Sequence, residues 1–194
     1  MQVIIGSLWV ALLGFCCSAS AQQVELREHG ARMQRVVAAT AEAVPNVVDN
    51  TGKVVGRLFA DGVVLNINGV WVFAPLRRLS AGTTYSAGDL LWDDDTQLQF
   101  ATTDCSGAPY IPARAKGISG LFRPSVIQRQ GHVAVLHIAG PGDSVPTPFH
   151  SEASGTGGFA GGAICRISSG IAYAWPVASS VDLFQLYPEP LHLQ

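Results

Sequence analysis

From Asn46 onward, short apolar runs alternate with turn residues at intervals near ten, the rhythm of antiparallel hairpins rather than of helices. Residues 46–49 and 53–59 flank Asn50-Thr51-Gly52, where the glycine can take the positive φ of a short loop. Residues 63–67 and 70–73 flank Asn68-Gly69, and both central positions of a type I′ turn need positive φ. Leu65 and Ile67 alternate with Asn66, and Val70 and Val72 with Trp71 and Phe73, so one face of this ribbon can be buried. Residues 82–95 are turn-rich. Residues 97–102 alternate polar and apolar as a half-buried strand, leading through Asp104-Cys105-Ser106-Gly107 into an extended piece at 109–111. Further strands are expected at 118–123, 133–138, 164–167 and 171–175, separated by a Gly- and Pro-rich loop over 140–162. The tail over 181–193 closes the domain, with Pro188 and Pro190 forbidding a regular central strand. Residues 45–194 are therefore expected to form an all-β domain of antiparallel hairpins in a sandwich, meander or irregular barrel.

The N-terminal part has a different texture. Residues 1–21 contain no Asp, Glu, Lys or Arg, and 3–15 form an almost unbroken apolar run before Cys17-Ser18-Ala19-Ser20-Ala21. This is the pattern of a signal peptide cleaved after Ala21, although its n-region carries no Lys or Arg beyond the amino terminus. A membrane-spanning helix needs about 20 apolar residues, and the run ends sooner. Cys16 and Cys17 follow Leu13-Gly14-Phe15 and lack the small preceding residue of a lipid-attachment site. Residues 22–44 are Ala-rich with charges at Glu25, Arg27, Glu28, Arg32 and Arg35, but Gly30 and drifting apolar positions leave no clean stripe. They are expected to form an arm or a weak, short helix, and an oligomerisation role for them is open.

Cleavage at Ala21 leaves two cysteines, Cys105 and Cys165, in a chain bound for an oxidising compartment, where a disulfide is the natural outcome. Closing a loop of about 60 residues stabilises by roughly 4 kcal/mol in the chain-entropy account. Neither cysteine has a second Cys or His at ligand spacing, which disfavours a zinc site. Charged residues make up only 13% of the chain, and 12 basic against 14 acidic residues give no basic footprint for nucleic acid.

Two stretches carry a resemblance. Val48-Asp49 through Gly52-Lys53-Val54-Val55-Gly56, and Phe100 through Thr103-Asp104-Cys105-Ser106-Gly107-Ala108-Pro109-Tyr110-Ile111, are similar to a loose group of uncharacterised bacterial secreted β-proteins. That group shows a Gly-Lys-x-Val-Gly hairpin, an Asp-Cys-Ser-Gly-x-Pro-Tyr segment and a later cysteine. Pro176-Val177 and Val181-Asp182-Leu183, followed by Phe184 and Pro188, are similar too. The resemblance implies export and the disulfide, and it implies no catalytic residues.

Candidate chemistry is thin. Gly142-Asp143-Ser144 matches the core of a serine-protease nucleophile motif, with His132 and His137 in reach of the idea, but the chain continues Val145-Pro146 where Gly-Gly is needed. Asp93-Asp94-Asp95, with Asp89 nearby, offers calcium-type oxygens, yet three consecutive carboxylates repel and are expected in a solvated turn. His29, His132, His137, His150 and His192 show no metal spacing, and residues 155–162 lack the Lys and following helix of a phosphate loop. Trp71, Trp92, Trp175, Tyr85 and Tyr110 could form a binding platform, although aromatics in strands more often pack a core. No catalytic residue, cofactor or metal is therefore expected. The expectation is a secreted, periplasmic or cell-surface module, binding or structural, with no stable membrane span after signal cleavage and an extracellular protein or carbohydrate as its partner. The alternative is a secreted hydrolase with an unrecognised site; His132 or His137 within reach of Ser144 or Asp143 would favour it, and exposed aromatics without a polar triad would favour the module.

Overall fold

The computed structural model describes residues 44–114, 120–155 and 162–194. The signal peptide expected at 1–21, and all of the 22–44 arm except Val44, fall outside these residues. The described chain is all-β. Its strands are β1 (Asn46–Val48), β2 (Val54–Phe59), β3 (Gly62–Ile67), β4 (Val70–Ala81), β5 (Thr84–Trp92), β6 (Gln97–Phe100), β7 (Pro109–Pro112), β8 (Ser125–Gln130), β9 (Val133–Ala139), β10 (Val145–Ser154), β11 (Ile164–Asp182) and β12 (Leu191–Leu193). A single helical turn, α1 (Leu183–Leu186), starts at Asp182, whose carboxylate accepts from the Phe184 and Gln185 N–H groups.

Six strands close a barrel in the order β1-β12-β5-β4-β3-β2. The other six form a sheet in the order β10-β6-β7-β11-β9-β8, and β10 also pairs with β11. The two hairpins read most directly from turn residues are present. Asn68 and Gly69 have φ of 51° and 85°, as a type I′ turn requires. Asp49 is buried at the first hairpin and accepts from the Thr51 N–H, the Thr51 hydroxyl and the Lys53 N–H. Gly62 lies tightly against the neighbouring strand β4: a Cβ there would lie 2.5 Å from the Ala74 carbonyl oxygen and from Cζ of Phe73.

Three stretches differ from expectation. Residues 82–95 hold β5, whose exposed first half shows no alternation; its place is set by ladders to β4 and β12, such as Leu76 with Trp92 and Leu90 with Leu191. Of 118–123, the described residues 120–122 turn and Arg123 makes only an isolated bridge to Val72, because Gly120 and Pro124 bracket the segment and the strand begins at Ser125. The loop expected over 140–162 contains β10, in which Thr147, Phe149, Ser151 and Ala153 are buried between exposed or half-buried neighbours.

The barrel core includes Val63, Leu65, Val72, Trp92 and Leu191 and is completed by Ile127, Leu136 and Ile138 from β8 and β9 and by Leu183 from α1. A second, smaller core gathers Leu98, Phe100, Ile111, Val126, Ala139 and Ala153. Strands β8 and β9 thus serve both cores. Cys105 and Cys165 form the expected disulfide, tying the segment after β6 to β11.

Candidate functional site

Most of the polar residues that sequence singles out are used as scaffold. Asp93 pairs with Arg77 at 3.4 Å. Asp94 accepts from Thr96, whose hydroxyl also reaches the Ile127 carbonyl. Asp95 accepts from the Ile127 N–H at 2.6 Å. The acidic run is consequently no solvated turn: with Thr96 it caps the edge of β8, Asp95 supplying an acceptor and Thr96 a donor where a neighbouring strand would otherwise be required. Burial pushes the Asp95 carboxyl up to about 8, against the Ile127 N–H bond that favours its charged form and with the help of the Asp93 and Asp94 charges. Burial likewise raises Asp93, opposed by Arg77. Among the described residues, no group of three or more His, Cys, Asp or Glu is placed to hold a metal ion.

His137 lies on β9 with Nδ1 2.8 Å from the Ser180 hydroxyl and Nε2 3.0 Å from the Gln128 side-chain oxygen. Both ring nitrogens are thus engaged away from Ser144 and Asp143, and burial holds the imidazole below its ordinary value. Arg129 and Glu189, which no motif pointed to, form a buried fork joining the second sheet to the segment before β12.

The surface is organised differently around β10 and β11. Ala174 pairs with Val145 of β10 and with Pro112 of β7, so these two strands lie on opposite edges of β11. On the β7 side the ladder covers Ala174 to Pro176, and the Ala113 N–H donates to the Tyr173 carbonyl at 2.8 Å. From there back to Ile164, no strand among the described residues pairs with that edge. The outer edge of β10 contrasts with it. Strand β6 covers Ser151 to Ser154, and the remainder carries Pro146 and Pro148. A proline fits inside a ladder only where its nitrogen faces away from the partner strand, so these two remove donors from the outer edge of β10. The same register sends the N–H and C=O of Ile171 and Tyr173 to the open edge of β11, and the Ala113 bond to Tyr173 agrees with that direction. Ile167, Ile171 and Tyr173 on this strand are 78%, 75% and 63% exposed.

Two hollows flank the open edge and share Arg114. The larger, about 440 Å³, is lined by Phe149, Gly170, Ile171 and Tyr173 among others. Glycine at 170 leaves room for the Phe149 ring, which a Cβ would approach to 3.1 Å. The smaller, about 290 Å³, has a mixed lining that includes Glu152, which pairs across the strands with Gln99 and Arg166. The Gln99 amide donates to Glu152 at 2.8 Å, and Arg114 stands 3.5 Å from the same carboxylate. Gln99 is 2% exposed, yet its side-chain oxygen has no hydrogen-bond partner although the residue lines the hollow. A buried acceptor without a donor is costly unless something supplies one.

Of the aromatic platform, Trp92 is wholly buried in the barrel core, whereas Trp71 and Tyr85 are exposed. Sequence reading missed the β11 edge because edge status depends on which strands pair, and it missed Gln99, Arg114, Glu152 and Arg166 because they are scattered over four segments. The one available signal was Pro146 with Pro148 in an otherwise strand-like stretch. Comparison with protein-family models, with curated proteins and with solved structures finds no match to this chain.

Proposed function

We propose that this chain is an exported binding module, delivered by the 1–21 signal peptide and held by the Cys105–Cys165 disulfide, rather than an enzyme. The observation that carries the binding role is the unequal treatment of the two edges of one hairpin: β10 is blocked by prolines, while from Ile164 to Ala172 the outer edge of β11 pairs with no strand among the described residues and carries exposed Ile167 and Ile171, with Tyr173 beside them. Unprotected edges invite pairing with another chain, and proteins ordinarily blunt them. An edge left open and lined with apolar side chains is a surface for strand addition by an extended protein segment. Engagement of His137 by Ser180 and Gln128, and the exposure of Trp71 and Tyr85, weigh on the same side. Export rests on the uncharged N-terminal apolar run and on the resemblance to bacterial secreted β-proteins; the disulfide and the lack, among the described residues, of a helix able to cross a membrane are compatible with it.

Two experiments test the proposal. Intact mass of the chain expressed from Met1 in a bacterial host should start at Gln22, with Cys105 and Cys165 alkylated only after reduction. Selection of a displayed library of linear peptides should yield binders that the Ile171→Pro variant loses. A retained Met1 would overturn export, and binders indifferent to Ile171→Pro would move the surface elsewhere.

A further inference from the structure

Resting on the binding role proposed above, we infer that the β11 edge takes an extended peptide bearing a carboxylate, with Arg166 and Arg114 receiving the acidic group and Gln99 accepting a hydrogen bond from the same ligand. Both hollows adjoin the strand and share Arg114, so one occupant can reach the more apolar hollow and the charged groups of the other together. The smaller hollow is lined by two arginines, Arg114 and Arg166, and a single carboxylate, Glu152, which leaves one positive charge in excess among these three side chains. Guanidinium groups favour carboxylates through paired N–H donors. The Gln99 oxygen adds an acceptor that the fold leaves unmatched. A peptide segment carries both complements: backbone or side-chain N–H for Gln99, and Asp, Glu or a terminal carboxylate for the arginines.

A second copy of the chain suits the edge less well. Antiparallel self-pairing over 164–172, centred on Ser168, would set Arg166 opposite Gly170 of the partner copy, which lines the same hollow as Arg114. Like charges meeting across such a seam oppose it.

The test uses the oxidised protein and two blocked peptides, Ac-Val-Thr-Val-Glu-Val-Thr-NH2 and the same peptide with Lys in place of Glu. Affinity is read by titration, with backbone amide shifts of 164–173 followed by NMR. The Glu peptide should bind roughly three- to tenfold more tightly than the Lys peptide, the range of one partly exposed ion pair, and Arg166→Glu should reverse the order. Methylating alternate backbone nitrogens of the Glu peptide should abolish binding, a result that does not depend on any protein variant folding. Equal affinity for the two peptides, with sensitivity to N-methylation, would overturn the carboxylate preference and leave strand addition standing. No binding of either peptide, with the 164–173 amides unmoved, would overturn both. A concentration-dependent dimer lost in Ile171→Pro would assign the edge to a second copy and overturn the peptide inference.

Discussion

Removing Arg129 should be among the most damaging single changes available in the described chain, because its guanidinium is the centre of a buried hydrogen-bonded clamp. Its guanidinium holds Glu189 through two bonds of 2.7 and 2.6 Å, donates to the Trp92 carbonyl at 3.0 Å and, through Nε, to the Gly131 carbonyl at 3.0 Å. The side chains of Arg129 and Glu189 are only 1% and 6% exposed. In Arg129→Met the stem is replaced by apolar volume, but Glu189 keeps only the Trp92 N–H, at 2.7 Å, of the three donors described around it. Stranding a buried carboxylate in this way costs about 3–5 kcal/mol. At about 2–4 °C per kcal/mol for a domain of this size, the midpoint of thermal unfolding should fall by roughly 10 °C. Glu189→Leu alone strands the guanidinium and should cost a similar amount, whereas the Arg129→Met, Glu189→Leu double variant removes both charges and should fall short of the sum by about 2 kcal/mol or more. Urea unfolding followed by tryptophan fluorescence is the assay, since Trp92 is wholly buried and donates to Glu189 through its own N–H. A single-variant cost below about 1 kcal/mol, or strict additivity in the cycle, would refute the clamp.

The other expectations concern pH, the disulfide and one glycine. Because the Asp95 carboxyl is raised from 3.8 to about 8 in the folded chain, the native state holds an extra proton between those values, and stability should decline as pH rises through that window and level off above it. Asp95→Asn keeps an acceptor for Ile127 without the charge, so its urea midpoint should gain on wild type from pH 5 to pH 9; parallel profiles would sink this account. His137 acts on the opposite flank: its lowered value means stability is lost as pH falls below the ordinary 6.5, and His137→Gln should flatten that decline in the same titration. Replacing Cys105 and Cys165 by Ser should cost roughly 4 kcal/mol in the chain-entropy account, given their separation of 60 residues; an unchanged urea midpoint would show the bond to be energetically idle. Gly62→Ala should destabilise by about 2 kcal/mol or more, because the new Cβ meets backbone oxygen and a packed ring rather than a flexible tip; a near-neutral effect on the melting midpoint would contradict the close approach of Phe73 and Ala74.

Local chemistry accounts for what was legible in sequence. Asn68-Gly69 and Asn50-Thr51-Gly52 set their hairpins because positive φ is a property of the turn residues themselves. The disulfide followed from cysteine count. What local pattern could not supply was anything decided by strands distant in sequence. Asp93-Asp94-Asp95 reads as solvated because three carboxylates repel, but the edge of β8 needs capping, and that need exists only after Ile127 has been placed 32 residues downstream of Asp95. The pairing of Arg129 with Glu189 is likewise invisible until β8 and the segment before β12 are brought together.

The stretch that misled most is also the most informative. The Gly and Pro content of 140–162, Pro146 and Pro148 included, made it look like a loop, since a proline normally interrupts a ladder. Their spacing of two places both nitrogens on the same edge, so β10 stays paired with β11 on the other, with one register shift between Phe149 and Ser151. The prolines therefore do not mark the absence of a strand; they mark which of its edges is closed. Ile164 to Trp175 contains no proline, and its outer edge as far as Ala172 pairs with no strand among the described residues, so the opposite edge of the hairpin lacks the closure that β10 has. The binding role proposed for this chain thus depends on a pattern of missing donors, and Ile171→Pro, which would impose on β11 the same closure that Pro148 imposes on β10, is its most direct probe.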